Sequence, residues 1–229
     1  HCDEEYAKLS SELSKNNASV YRICAEISVM RRDAAVAFCG KVVEGLKTLN
    51  IQKARFCAEF SPFTQEDTEH IGADGADKMQ FLFSANAGEP LKPLSKVISG
   101  GEMSRLMLAI KTQMSGLNEI STYIFDEIDA GISGATAKVV AEKFADISAD
   151  RQIIAVSHLA QIVAMADANF LISKRETENG KTLTDIVSLS GGRRREELIR
   201  LLGGTKGSDA AAKLADELTA ACNIYKAQR

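Results

Sequence analysis

At 229 residues, with 45% apolar and 26% charged side chains, the chain has room for one sizeable domain, or for one domain with an appendage. A net charge of −3 argues against bulk electrostatic attraction to nucleic acid and leaves only local basic patches. No stretch approaches the roughly 20 apolar residues that span a bilayer, no charged-then-apolar leader opens the chain, and five scattered cysteines without a CxxC pair suit reduced thiols, so a soluble, cytoplasmic protein is expected.

The first 48 residues contain no proline and no glycine before Gly40. Their apolar residues alternate at spacings of three and four: Tyr6, Leu9, Leu13, then Asn16, then Val20, Ile23, Ile27, Met30, Ala34 and Ala37. This is an a/d heptad seam with one polar residue setting its register, and it predicts a helix reaching roughly 48 Å over about 32 residues at 1.5 Å each. A period of 3.5 and a narrow stripe favour a coiled-coil arm over an amphipathic helix lying on a core. No second heptad run is present, so the partner helix must come from elsewhere.

Beyond Leu49 the texture changes. Arg55 to Phe60 and Met79 to Phe83 alternate like strands, and Gly72 to Asp77 (GADGAD) reads as a turn between them. A helix is predicted from about Gly101 to Ser115, a buried strand over Thr122–Phe125, a helix over Ala135–Ile147 and a strand over Gln152–Val156. A helix near Leu159–Ala166 follows, then a β-pair at Asn169–Ser173 and Leu183–Leu189, then helices over Arg194–Leu202 and Asp209–Tyr225. Alternating helices and fully apolar strands predict a parallel α/β sheet covered on both faces.

Three segments of this region carry chemistry. Ser99-Gly100-Gly101-Glu102 stands where a helix begins, so its glycines let backbone amides approach a phosphate, Ser99 adds a hydroxyl, and the helix dipole favours the negative charge. As an isolated string it is also an ordinary helix cap. Some two dozen residues later, Asp126 and Glu127 end an apolar strand, the edge at which α/β sheets bind ligands. Paired carboxylates there suit magnesium and phosphate chemistry, the first holding the metal through water and the second accepting a proton from an attacking water. Asp129 to Gly134 (DAGISG) forms a tight loop, and one strand further on His158 ends a second apolar strand, predicted to lie beside Glu127. Arg193, Arg194, Arg195 and Arg200 cluster at a helix start, either as a nucleic-acid contact or as a solvated face paired with Glu196 and Glu197.

In order and spacing, these motifs resemble the signature, Walker B strand, D-loop and switch histidine of ABC-type ATPases. Ile98 replaces Leu in the family's LSGGQ, and Glu102 replaces Gln. Glu at that position together with a heptad arm resembles the SMC-like repair and chromosome ATPases. The finer resemblance, carried by GADGAD, by Lys96 to Arg105, by Phe125 to Gly134, by Ser157 to Gln161 and by Leu201 to Gly204, is to the RecN-type branch of that family. It covers roughly residues 50 to 205, with Met103 and Ala160 as mild departures.

The resemblance implies a returning coiled-coil arm over 1–48 and, over 49–229, the C-terminal half of a P-loop, ABC-type head. It implies ATP and Mg²⁺ as cofactors, with a second head, DNA and the N-terminal half of the same protein as partners. It also implies a cytoplasmic, nucleoid-associated protein of double-strand break repair and recombination, with no membrane attachment. By residue, it puts Ser99, Gly100, Gly101 and Glu102 against a nucleotide bound by the opposite head, and Asp129 and Gly131 in the D-loop. It gives the Mg²⁺ to Asp126, the water to Glu127 and the γ-phosphate to His158. The phosphate loop G-x-x-x-x-G-K-[ST] occurs nowhere in the sequence, and Gly203 to Ser208 only imitates it. The chain is therefore expected to be a C-terminal segment, inactive alone, completed by a partner half that holds the gripping lysine. The alternatives are a non-catalytic interaction module on the same fold and, less well matched by the arm and Glu102, a transporter subunit.

Overall fold

The computed structural model describes residues 2–64, 71–97, 99–114, 120–176, 181–205 and 208–228. Ile98, Ser115, Lys206 and Gly207, all used in the sequence reading, lie outside them. The chain divides into two compact units, one of residues 1–47 and 51–98 and the other of residues 48–50 and 99–229.

The first unit is built on one long helix, α1 (Cys2–Thr48). Acidic residues in its first turn and Lys47 in its last complement the helix dipole. Asn50, at φ 64°, ends it by letting Ile51 N–H return to the Leu46 carbonyl at 3.0 Å. Strands β1 (Arg55–Phe60) and β2 (Met79–Ser84) pair antiparallel, with Phe56 opposite Phe83, and a short β3 (Lys92–Pro93) extends the sheet.

The helix uses two faces. Cys24, Ser28, Cys39, Val42 and Leu46 form a buried stripe one position away from the heptad seam, and Phe38 packs on Phe56 and Phe81 with ring centroids 6.5 and 5.9 Å apart. Most of the seam itself, including Tyr6, Leu9, Leu13, Val20, Ile23 and Met30, remains exposed.

GADGAD clamps this helix to the sheet. Asp77, whose side chain is only 4% exposed, accepts from Ser28 Oγ at 2.7 Å and from Arg31 Nη1 at 3.1 Å. Arg31 Nη2 donates to the Asp74 carbonyl at 2.7 Å. Truncating Asp77 to Ala leaves the buried Ser28 hydroxyl without its acceptor and Arg31 with the Asp74 carbonyl alone, and a loss of about 1–3 kcal/mol is expected in urea unfolding of the protein.

The second unit runs α2 (Gly100–Gln113), β4 (Thr122–Phe125), α3 (Gly134–Ile147), β5 (Gln152–Ala155) and α4 (Ala160–Met165). The hairpin β6 (Asn169–Glu176) and β7 (Thr182–Leu189) follows, then α5 (Gly191–Leu201) and α6 (Asp209–Ala227). β4 and β5 are parallel and in register, Thr122 opposite Gln152 and Phe125 opposite Ala155. Phe125 turns into the core against Phe144 of α3 at 4.9 Å, and Leu106 and Leu108 of α2 are buried as well. Gly203, at φ 79°, stops α5 by returning Gly204 N–H to the Ile199 carbonyl at 2.9 Å, so the stretch that imitates a phosphate loop is a helix stop as far as Thr205.

The parallel sheet is covered on one face, not two. Ile124 and Ile154, direct neighbours across β4 and β5, are 72% and 46% exposed, and Val156 is 50% exposed. Apolar residues on both faces of a strand specify burial on both sides, but the described residues supply cover for one. The same holds for the hairpin, whose Phe170, Ile172 and Ile186 are exposed. All five cysteines are free thiols, and burial pushes Cys39 and Cys222 above the ordinary thiol range.

Candidate nucleotide site

The parallel register of β4 and β5 brings their C-terminal ends together, so residues 126–131 and 156–158 share one edge of the sheet. Asp126 and Glu127 are both exposed there. Asp126 Oδ1 accepts from Glu127 N–H at 2.9 Å, which fixes the aspartate rotamer and leaves its second oxygen free. Glu127 adopts φ 55°, a left-handed conformation that is uncommon outside glycine. Ala130 N–H closes a turn on the Glu127 carbonyl at 3.1 Å, and Gly131 follows at φ 72°.

Asp129 is buried and serves two donors with one oxygen. Its Oδ2 accepts from Ser157 Oγ at 2.7 Å and from His158 N–H at 2.8 Å, and lies 3.0 Å from His158 Nδ1. Asp129 therefore ties the loop after β4 to the end of β5 and stands beside the imidazole. The ring is 75% exposed, open to a ligand. The sequence places His158 beside Glu127 on this edge, and the structure puts its Nδ1 3.0 Å from the Asp129 carboxylate.

Ser99 is the N-cap of α2, its Oγ accepting from Glu102 N–H at 3.4 Å, the serine–glutamate spacing of a capping box. The helix-cap reading of SGGE is thus fulfilled, and the same geometry sets the Gly100–Gly101 turn against the acids. A Cβ on Gly100 would collide with the Glu127 carboxylate, and one on Gly101 would stand 2.8 Å from Ala130 Cβ and 3.2 Å from the Glu127 carbonyl. At Gly101, where the neighbours are Ala130 and backbone carbonyls, glycine is what permits the approach. Gly101→Ala is expected to lower the thermal midpoint by several degrees, since one helix or the loop must move; a melt within a degree of wild type would show that the contact yields freely.

Two residues that the sequence reading passed over complete the contact. Ser104 Oγ donates to the Asp126 carbonyl at 2.6 Å, and Arg105 Nη1 donates to the Ala130 carbonyl at 2.6 Å. Burial pulls the Arg105 guanidinium below its ordinary range, with Glu102 opposing the shift. The signal was available: Arg105 follows Gly101 by four residues and so falls on the buried face of an amphipathic helix, where a cation needs a reason. Among the described residues no cluster of three or more His, Cys, Asp or Glu side chains can hold a metal. Asp126 offers one fixed carboxylate with a free oxygen, which fits a magnesium ion that takes its other ligands from phosphate and water.

The arginine cluster stands apart from this edge. Arg194 Nη2 donates to the carbonyls of Ala164 at 2.9 Å and Ala166 at 2.7 Å, capping α4. Arg195 forms a two-point pair with Asp216 at 2.7 and 2.8 Å and holds that carboxyl below the usual range, and Arg200 pairs with Glu197. Arg193 is exposed, with no partner among the contacts of the described residues.

No protein-family model matches the chain. Its sequence is similar to curated proteins described as DNA repair protein RecN. It is 35% identical over 218 residues to that of Halalkalibacterium halodurans, covering 95% of this chain and 38% of the relative. It is 35% identical over 226 residues to that of Bacillus subtilis, covering 94% and 39%. It is 38% identical over 211 residues to that of Treponema pallidum, covering 92% and 37%. The chain thus spans less than two-fifths of the length of these relatives. Among solved structures, an Smc head domain with a coiled coil and joint from Pyrococcus yayanosii aligns at 22% identity and TM-score 0.49, covering 86% of this chain and 37% of that one. An Smc head domain with an extended coiled coil from Pyrococcus furiosus aligns at 22% identity and TM-score 0.46, covering 88% and 47%.

Proposed function

The chain is related to the RecN DNA repair proteins along nearly its whole length, and from that kinship we propose that it is the C-terminal half of an SMC-like ATPase head acting in double-strand break repair and recombination. The observation that carries this reading is the meeting of the signature turn, the Walker B acids and the switch histidine at one sheet edge. ATP is bound and hydrolysed between two heads, with the phosphate-gripping loop supplied by the N-terminal half of the protein.

Each group here has a task its geometry supports. Ser99, Gly100, Gly101 and Glu102 form a capped helix N-terminus that presents amides and a hydroxyl to the γ-phosphate held by the opposite head. Asp126 would hold a hydrated Mg²⁺ through the oxygen not bonded to Glu127 N–H, and the metal would neutralise charge on the phosphates. Glu127 orients the attacking water and accepts its proton. Asp129 and Gly131 shape the loop that joins these parts, and Asp129 holds His158 so that Nε2 reaches a phosphate oxygen, donating when the ring carries both protons. His158→Ala in the full-length protein is expected to lower ATP turnover about tenfold or more. Nucleotide affinity in a filter-binding assay should stay within about threefold.

The uncovered face of Ile124, Ile154 and Val156 supports docking of the N-terminal half, and the exposed heptad seam of α1 supports pairing with a helix from the same missing region. A basic DNA contact falls on Arg193, because Arg194 and Arg195 already serve internal partners. Arg193→Glu is expected to weaken DNA binding by the full-length protein several-fold, more so at low salt, and unchanged affinity at every salt concentration would remove it from the interface. The competing reading, a non-catalytic interaction module, rests on the missing phosphate loop; hydrolysis by the full-length protein that depends on Glu127 excludes it.

A further inference from the structure

The backbone from Asp126 to Ala130 is held on α2 at three points. Ser104 Oγ bonds the Asp126 carbonyl at 2.6 Å, the Gly101 backbone lies against Glu127 and Ala130, and Arg105 bonds the Ala130 carbonyl at 2.6 Å. Between the outer points sits Glu127 at φ 55°. For a residue with a side chain that conformation is strained and persists only where the surroundings over-determine it.

Arg105 is an uneconomical stabiliser. It is buried, and among the described residues its guanidinium bonds a single carbonyl and its Nε has no partner. A buried cation without a bonded carboxylate is costly, and an apolar side chain would fill the same space at less cost. What the apolar side chain would lose is the bond that fixes Ala130.

We infer that Ser104 and Arg105 are positioning residues that hold Glu127 in its left-handed conformation, so that the signature turn and the water-activating acid of one chain move as a unit. This rests on the proposed role of Glu127. The consequence concerns two sites at once. The signature turn of a chain faces the nucleotide of the opposite head, whereas its Glu127 serves the nucleotide of its own. A phosphate that draws on Ser99 to Gly101 at one site shifts the start of α2 and, through the Ser104 and Arg105 bonds, the carboxylate at the other.

Steady-state ATP hydrolysis by the full-length protein tests this with Ser104→Ala, alone and combined with Glu127→Gln. Ser104 is partly exposed and loses one oxygen, so the thermal midpoint should stay within about 3 °C. The expected result is a kcat lowered about tenfold with KM within about twofold. In the Glu127→Gln background the same change should have no further effect, because both act through one group. Arg105→Met should show the same split, and Arg105→Lys, which keeps a donor for Ala130, should recover part of it. A Ser104→Ala kcat equal to wild type, or losses that multiply in the double variant, overturns the inference. Full turnover by Glu127→Gln overturns the assignment of the acid and the inference with it, whereas a dead Glu127→Gln beside a silent Ser104→Ala overturns the inference alone.

Discussion

In the full-length protein, Glu127→Gln is expected to lower ATP turnover by about two to three orders of magnitude while nucleotide binding survives and ATP-bound head dimers accumulate. The amide keeps the size of the side chain and its place on the loop, so the left-handed backbone and the contacts of Ser104 and Arg105 persist. What it loses is the ability to take a proton from water. The carboxylate is exposed at the sheet edge, where it meets a ligand rather than a core. Rapid quench kinetics and size-exclusion chromatography with ATP distinguish the outcomes. Turnover near wild type would remove Glu127 from the chemistry.

Asp129→Ala has the second largest expected effect, and it acts on stability and turnover together. One buried oxygen accepts from the Ser157 hydroxyl and the His158 amide and lies 3.0 Å from the His158 ring. Removing it leaves these half-buried donors without their acceptor and should cost about 1–3 kcal/mol in denaturant unfolding. It also frees the imidazole to rotate, so turnover should fall at least as far as in His158→Ala. Asp129→Asn separates the two effects, because an amide oxygen can keep the same acceptor position. That variant should unfold within about 1 kcal/mol of wild type yet turn over more slowly, having lost the charge beside His158. If Asn and Ala destabilise equally, the carboxylate acts through charge and not through its bonds.

Much of this arrangement was legible from residue order because it rests on local rules. The apolar runs ending at Phe125 and Ala155, the capping serine at Ser99 and the glycine stop at Gly203 announce themselves within a few residues. What stayed hidden depends on partners distant in the chain. The docking face of α1 is diluted by Ser28 and Arg31, which only make sense once Asp77 is known to bond both. Arg194 and Arg195 read as a nucleic-acid contact or as a solvated face paired with Glu196 and Glu197, until the carbonyls at the end of α4 and the Asp216 carboxylate reach them from 21 or more residues away. Apolar strands promised a sheet covered on both faces, yet apolarity reports that a surface needs cover and not which segment provides it. The sheet edge is legible in the sequence, but the role of Asp129 within it, accepting from Ser157 and the His158 amide, is not.

On the proposed reading, these residues present, polarise and sense a nucleotide that another part of the protein grips. Mg²⁺-dependent ATP hydrolysis by the 229-residue chain tests this, measured alone and after mixing with the N-terminal segment proposed to carry the phosphate loop. The account predicts no hydrolysis above background by the chain alone, and hydrolysis by the mixture that disappears with Glu127→Gln. Hydrolysis by the chain alone, or by a mixture indifferent to Glu127, would contradict it.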